Sequence, residues 1–151
     1  MVHHNCGICK EIEDIKNKKN LLFVAELPTG YVVLGDWQFY KGYTLFLCKK
    51  HVFELHELPE DFKQKFLKDM SLVAEAVCKA FKPKKLNYEM LGNSVPHLHW
   101  HFFPRYKDDP IPQRPIWCID SSITCSEKVK PTPQQIMKLK SLLLLELKKL
   151  H

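Results

Sequence analysis

The stretch Pro96-His97-Leu98-His99-Trp100-His101-Phe102-Phe103-Pro104-Arg105 places three histidines at alternate positions among large apolar residues. Proline holds the residue before it in an extended conformation, and tryptophan and phenylalanine favour strands, so 97–103 is expected to be one. Side chains on a strand alternate between faces. His97, His99 and His101 therefore share one face, and Leu98, Trp100 and Phe102 the other. A row of imidazoles makes a poor core, because each ring has two nitrogens to satisfy and an unmet buried one costs about 1–3 kcal/mol. The row reads as a site, carried by a sheet whose other face is apolar.

Working upstream, Gly92-Asn93-Ser94 joins this strand to another expected at 86–91. Such a turn is routine, but beside the histidines its glycine lets backbone amides approach an anion, and Ser94 becomes a donor to a phosphate or leaving group. Phe62, Phe66, Met70, Val73, Val77 and Phe81 recur at steps of three and four, which predicts an amphipathic helix over 60–81, ended by Lys82-Pro83. Residues 21–27 and 31–35 are short apolar runs separated by Pro28-Thr29-Gly30, a hairpin pattern, and 43–48 follows Gly42 as a third strand.

Downstream, the proline-bearing segment 107–131 is expected to be an irregular loop. Thr132-Pro133-Gln134-Gln135 resembles a capping box, and the leucine-rich segment to Leu150 a final helix. Its wide apolar face, with Leu139, Leu142, Leu143, Leu145, Leu147 and Leu150, suits burial against the chain's own sheet or against a second subunit. The fold class is α+β: an antiparallel sheet of about five strands with one long central helix and a carboxy-terminal helix, forming a single domain over 1–151.

Apolar residues make up 45% of the chain and charged residues 26%, an ordinary globular balance. Lys and Arg outnumber Asp and Glu by 23 to 17, giving a formal charge of +6 that favours anionic partners without specifying one. No recognised nucleic-acid motif, internal repeat or membrane-length apolar run is present, and Met1 is followed by polar residues. A cytoplasmic protein with six reduced cysteines is expected.

Imidazole attacks phosphorus competently near neutral pH, provided its far N–H is held by a fixed acceptor. His99, flanked on both sides, is best placed to attack. Two other readings stay open: a zinc-dependent hydrolase with metal on the three histidines, and a nucleotide-binding interaction module without turnover. Against the first, residues two apart on a strand lie about 7 Å apart along it, which hinders convergence on one ion. Cys6-Gly7-Ile8-Cys9 has the spacing of half a tetrahedral zinc site, or of two reduced thiols.

Through Leu86-Asn87-Tyr88, Leu91-Gly92-Asn93-Ser94-Val95-Pro96 and the histidine run to Arg105, the chain resembles the histidine triad (HIT) family. The likeness extends to Lys41-Gly42-Tyr43-Thr44-Leu45-Phe46-Leu47, Lys50-His51, Glu54-Leu55 and Cys6-Gly7-Ile8-Cys9, covering a core of about residues 5–117, with a carboxy-terminal loop and helix over 118–151. It is similar to bacterial-type hydrolases of the diadenosine polyphosphate kind. The resemblance implies a homodimer with sheets joined across the interface, and hydrolysis or transfer of a small nucleoside phosphate, such as a dinucleoside polyphosphate or phosphoramidate, through a nucleotidyl-histidine.

By motif position, the resemblance makes His99 the nucleophile, with His97 orienting it, and His101 contacting phosphates and assisting the leaving group, joined by Ser94 and the His99 amide. It places Asn87, Asn93, Asp36, Tyr43 and Trp117 around the substrate, with Asp36 on the ribose and Trp117 able to stack on a base. No cofactor is required for this chemistry. A structural zinc held by Cys6, Cys9, His51 and His97 is implied. One departure stands out: many members have histidine where this chain has Tyr43, which can donate one hydrogen bond but brings no positive charge near neutral pH.

Overall fold

The computed structural model describes residues 5–150. Five strands form one antiparallel sheet: β1 (Phe23–Glu26), β2 (Gly30–Leu34), β3 (Thr44–Cys48), β4 (Lys85–Glu89) and β5 (His99–Arg105), in the order β1-β2-β3-β5-β4. The helices are α1 (Gly7–Lys16), α2 (Glu60–Phe81), the single turn α3 (Ser121–Thr124) and α4 (Pro133–Leu150). The α+β architecture expected from sequence is the one observed.

The two faces of the sheet have different roles. Val32, Leu34, Phe46, Cys48, Leu98 and Phe102 meet Phe66, Val73 and Val77 of α2 and Leu139, Leu143 and Leu147 of α4 in the main core. Phe46 stacks on Phe66 at 5.1 Å between ring centroids. Deep in this layer Asp69 accepts hydrogen bonds from the amide (3.0 Å) and hydroxyl (2.6 Å) of Thr29, pinning α2 to the β1–β2 turn. Over the opposite face, Ile8, Ile12 and Ile15 of α1 close a smaller cluster with Tyr31, Val33 and Leu47. Between α1 and the β4 edge, that second face carries the histidines.

Several expectations are refined. The histidine strand begins at His99, because the His97 amide bonds back to Val95 at 2.8 Å and that of Leu98 to Val52 at 2.7 Å, outside the regular ladder. The preceding strand covers Lys85–Glu89, and 107–131 is not wholly irregular: it holds α3 and 3-10 turns at Ile116–Cys118 and Glu127–Val129. In α4, Leu139, Leu143 and Leu147 are buried, while Leu142 and Leu145 face solvent, since a straight helix turns only one stripe to its own core. Among the described residues, no helix is long and apolar enough to cross a membrane.

Candidate active site and metal centre

Register sets the site's first layer. β5 pairs with β3, bringing Leu47 opposite His99 and Leu45 opposite His101, and with β4, bringing Glu89 opposite His101 and Asn87 opposite Phe103. Cross-strand partners point to the same face, so His99, His101, Asn87 and Glu89 share one surface.

His99 is buried, and its Nδ1 lies 2.5 Å from the backbone carbonyl of His97. A carbonyl only accepts, so Nδ1 carries the proton and Nε2 of the neutral ring keeps a lone pair. Burial holds the His99 pKa below its ordinary value, with the carbonyl bond opposing this in part. The part of His97 that holds the His99 ring is its main-chain carbonyl. The His97 ring turns aside, with Nε2 2.9 Å from the Cys48 carbonyl. The three rings consequently do not converge on one ion.

His101 packs against His99 with ring centroids 4.5 Å apart, and its Nδ1 lies 2.7 Å from the Tyr43 hydroxyl. Tyr43 is itself stacked on Phe103 at 4.2 Å, and Gly35 makes room for it: a Cβ there would fall 2.0 Å from the tyrosine ring. Burial raises the Tyr43 pKa well above that of a free phenol, while burial and then the neighbouring His99 bring His101 down to about 4. The hydroxyl and Nδ1 share one hydrogen bond whose donor follows the tautomer of His101: the phenol donates where the ring carries its proton on Nε2. Tyr43 is thus in direct contact with the neighbouring imidazole. Tyr43→Phe retains the stacking but removes the hydrogen bond to His101; we expect a loss of about 1 kcal/mol of stability, read from thermal melts.

The same burial makes stability depend on pH. An unfolded histidine binds its proton near 6.5 and folded His101 only near 4, so between these values the unfolded chain holds more protons. Stability contributed by the neutral ring is complete above about pH 6.5 and falls as pH drops toward 4, by about 3 kcal/mol at full titration. Melting curves from pH 8 to 4 should show this decline, and His101→Gln should make it shallower.

Other expected site residues are more scattered. Asn93 and Ser94 are exposed on the β4–β5 connection, where Gly92 adopts φ 80°, a left-handed conformation suited to glycine. The Asn87 Oδ1 accepts from Arg105 at 3.0 Å. Asp36 is exposed just after β2 and lines a cavity of about 530 Å³ with Asn20 and Trp37. Trp117 is exposed in the 107–131 segment, which is tied back by the Tyr40 hydroxyl to the Ile116 carbonyl (3.5 Å) and by the Gln38 amide to Val129 (2.9 Å).

At the other end of the histidine row, Cys6, Cys9, His51 and His97 come together with their ligand atoms within 4.8 Å of one another. Nδ1 of His97 lies 3.5 Å from each sulfur and 3.2 Å from Nδ1 of His51, which is 3.3 Å from Cys9 Sγ. Zinc–sulfur and zinc–nitrogen bonds of about 2.3 and 2.0 Å give tetrahedral edges of roughly 3.3–3.8 Å, so the donor set fits a four-coordinate ion. Cys6 also caps α1, accepting from the Cys9 amide at 3.4 Å. Cys48, Cys78, Cys118 and Cys125 carry free thiols.

Sequence reasoning missed Glu89. It is buried, one carboxylate oxygen has no hydrogen-bond partner, and it sits directly across from His101. Its available signal was its place on a strand adjoining the histidines, but which face it takes depends on the register.

An antiparallel sheet that presents alternating histidines beside a tyrosine, with a Cys-His cluster at one end, defines a class of protein, and comparison identifies it. The HIT domain model matches residues 17–108, and the chain belongs to that family of nucleotide-binding and hydrolase-type proteins. It is 32% identical over 108 residues to Protein hit of Bacillus subtilis (strain 168), covering 68% of this chain and 72% of that one. A histidine triad protein from Marinobacter aquaeolei has the same fold, with TM-score 0.71 and 26% identity over 85% of this chain and 90% of that one. A zinc-bound histidine triad family protein from Mycobacterium smegmatis superposes with TM-score 0.68 at 18% identity, covering 97% of this chain and 96% of that one.

Proposed function

We propose that the protein hydrolyses or transfers small nucleoside phosphates, dinucleoside polyphosphates or phosphoramidates, through a nucleotidyl-histidine on His99. The observation that carries this reading is the bond from His99 Nδ1 to the His97 carbonyl, which leaves Nε2 bare on a buried, fixed ring. Nε2 forms a bond to phosphorus as the bond to the leaving group breaks; water then displaces the histidine. His101 donates from Nε2 to a phosphoryl or leaving-group oxygen, with Ser94 and the His99 amide assisting. Asp36, Asn87, Asn93 and Trp117 are assigned to the nucleoside and phosphate.

Zinc in the Cys6, Cys9, His51 and His97 cluster would be structural, because four protein ligands leave no open position for water. The Nε2–H of His97 on the Cys48 carbonyl is the outer contact expected of a ligating histidine. The exposed outer edge of β4, with Tyr88 beside it, suits pairing with a second copy in a homodimer. A cytoplasmic location accords with the free thiols of Cys48, Cys78, Cys118 and Cys125.

The test is intact mass spectrometry after brief mixing with diadenosine tetraphosphate or an adenosine phosphoramidate. An adduct of nucleotidyl mass with accumulating nucleoside monophosphate is expected. Tight binding with neither adduct nor product would instead favour a non-catalytic nucleotide-binding module.

A further inference from the structure

The buried carboxylate of Glu89 has a free oxygen in a neighbourhood whose donors are already committed. Arg105, a cation close enough to affect it, gives Nε to Asp109 (2.7 Å), one terminal nitrogen to Asn87 Oδ1 and the Arg114 carbonyl, and the other to the Ile111 carbonyl. The Tyr43 hydroxyl is engaged with His101 and that of Tyr40 with Ile116. Leaving a buried carboxylate oxygen unmet is expensive, and such groups persist where a ligand supplies the missing partner. Glu89 lies across the β4–β5 ladder from His101, with Cβ atoms of such pairs about 4.5–5.5 Å apart.

Resting on the reaction proposed above, we infer that Glu89 is the proton donor and acceptor for the leaving group. His101 is poorly suited to that task. Burial and the neighbouring His99 bring its pKa down to about 4, so the ring is neutral near pH 7, and a neutral imidazole gives up its one N–H proton only as an imidazolate, whichever way the bond to Tyr43 runs. Glu89 is held above the usual carboxylate range, chiefly by burial and against the pull of Arg105, which favours the protonated acid. The ionisable groups around it are His101 and Arg105 from β5, and Tyr40 and Tyr43 from the loop that leads into β3.

In the first step, His99 Nε2 bonds to phosphorus, the P–N or P–O bond breaks, and the Glu89 carboxyl proton passes to the departing nitrogen or oxygen. In the second, a water oxygen bonds to phosphorus, its proton goes to the Glu89 carboxylate, and the N–P bond breaks, restoring neutral His99 and the carboxylic acid. Leaving groups that need a proton, alkylamines above all, depend on Glu89; those stable as anions do not.

The experiment compares single-turnover release of leaving group from an N-alkyl adenosine 5′-phosphoramidate and from the p-nitrophenyl ester of AMP, with wild type and the near-isosteric Glu89→Gln. We expect Glu89→Gln to slow amine release about 100-fold or more while nitrophenol release changes little. Wild-type amine release should fall as pH rises through the Glu89 titration, a limb absent from the nitrophenyl ester; this arm stands even if the variant does not fold. Equal slowing of both substrates, or no slowing of either, overturns the role of Glu89 alone. A wild type inert toward both overturns the parent reading and this one with it.

Discussion

His99→Ala is expected to reduce turnover at least 10³-fold while leaving the fold intact. The alanine removes the nitrogen that would bond to phosphorus, and no neighbour can replace it. His97 Nδ1 faces Cys6, Cys9 and His51, and His101 Nδ1 is occupied by Tyr43. Stability should change little, because the lost bond from Nδ1 to the His97 carbonyl is offset by relief of a buried polar ring. Substrate should still bind, through residues that the substitution does not touch. The check combines initial rates, intact mass and a thermal melt: no adduct and a melting temperature near that of wild type are expected. Full activity in the folded variant would refute His99 as nucleophile.

The parts of the molecule legible in the sequence are those set by period. The alternating histidines announce a strand and a shared face, and the apolar steps from Phe62 to Phe81 give a helix observed at Glu60–Phe81. In α1, Ile8, Ile12 and Ile15 also recur at helical spacing, with Cys6 as cap, but ten residues between charged neighbours make a faint signal. What stays hidden depends on strand ends and register. Nothing local says that the chain bends back at Val95, turning the His97 ring toward the cysteines while its carbonyl holds His99. Nor does the sequence pair Glu89 with His101, since that follows from how the Gly92 turn aligns β4 with β5. Arg105 and Asp109 have helical spacing, yet their 2.7 Å bond anchors the start of the 107–131 segment, in a turn.

The link between the Cys-His cluster and His99 gives the second large expectation: removing metal should impair the site without touching His99 itself. His97 would donate Nδ1 to the ion, Nε2–H to the Cys48 carbonyl, and its own carbonyl to His99. Fixing the ring therefore fixes the peptide that sets the tautomer of His99. The purified protein should hold one zinc per chain, and cobalt in its place should show the intense visible bands of a tetrahedral sulfur-nitrogen site. Ion present at about a thousand times its dissociation constant stabilises by about 4 kcal/mol, so chelation should lower the melting temperature by about 10 °C or more. Cys9→Ser should lose the ion and show the same fall, with activity declining in parallel as α1 loosens from the sheet. The main core of α2, α4 and the sheet is separate from the cluster, so the chain should remain folded at room temperature. Elemental analysis beside a melting curve decides it: a wild type without bound metal, or a melting temperature indifferent to chelator, would leave the four residues as a hydrogen-bonded cluster.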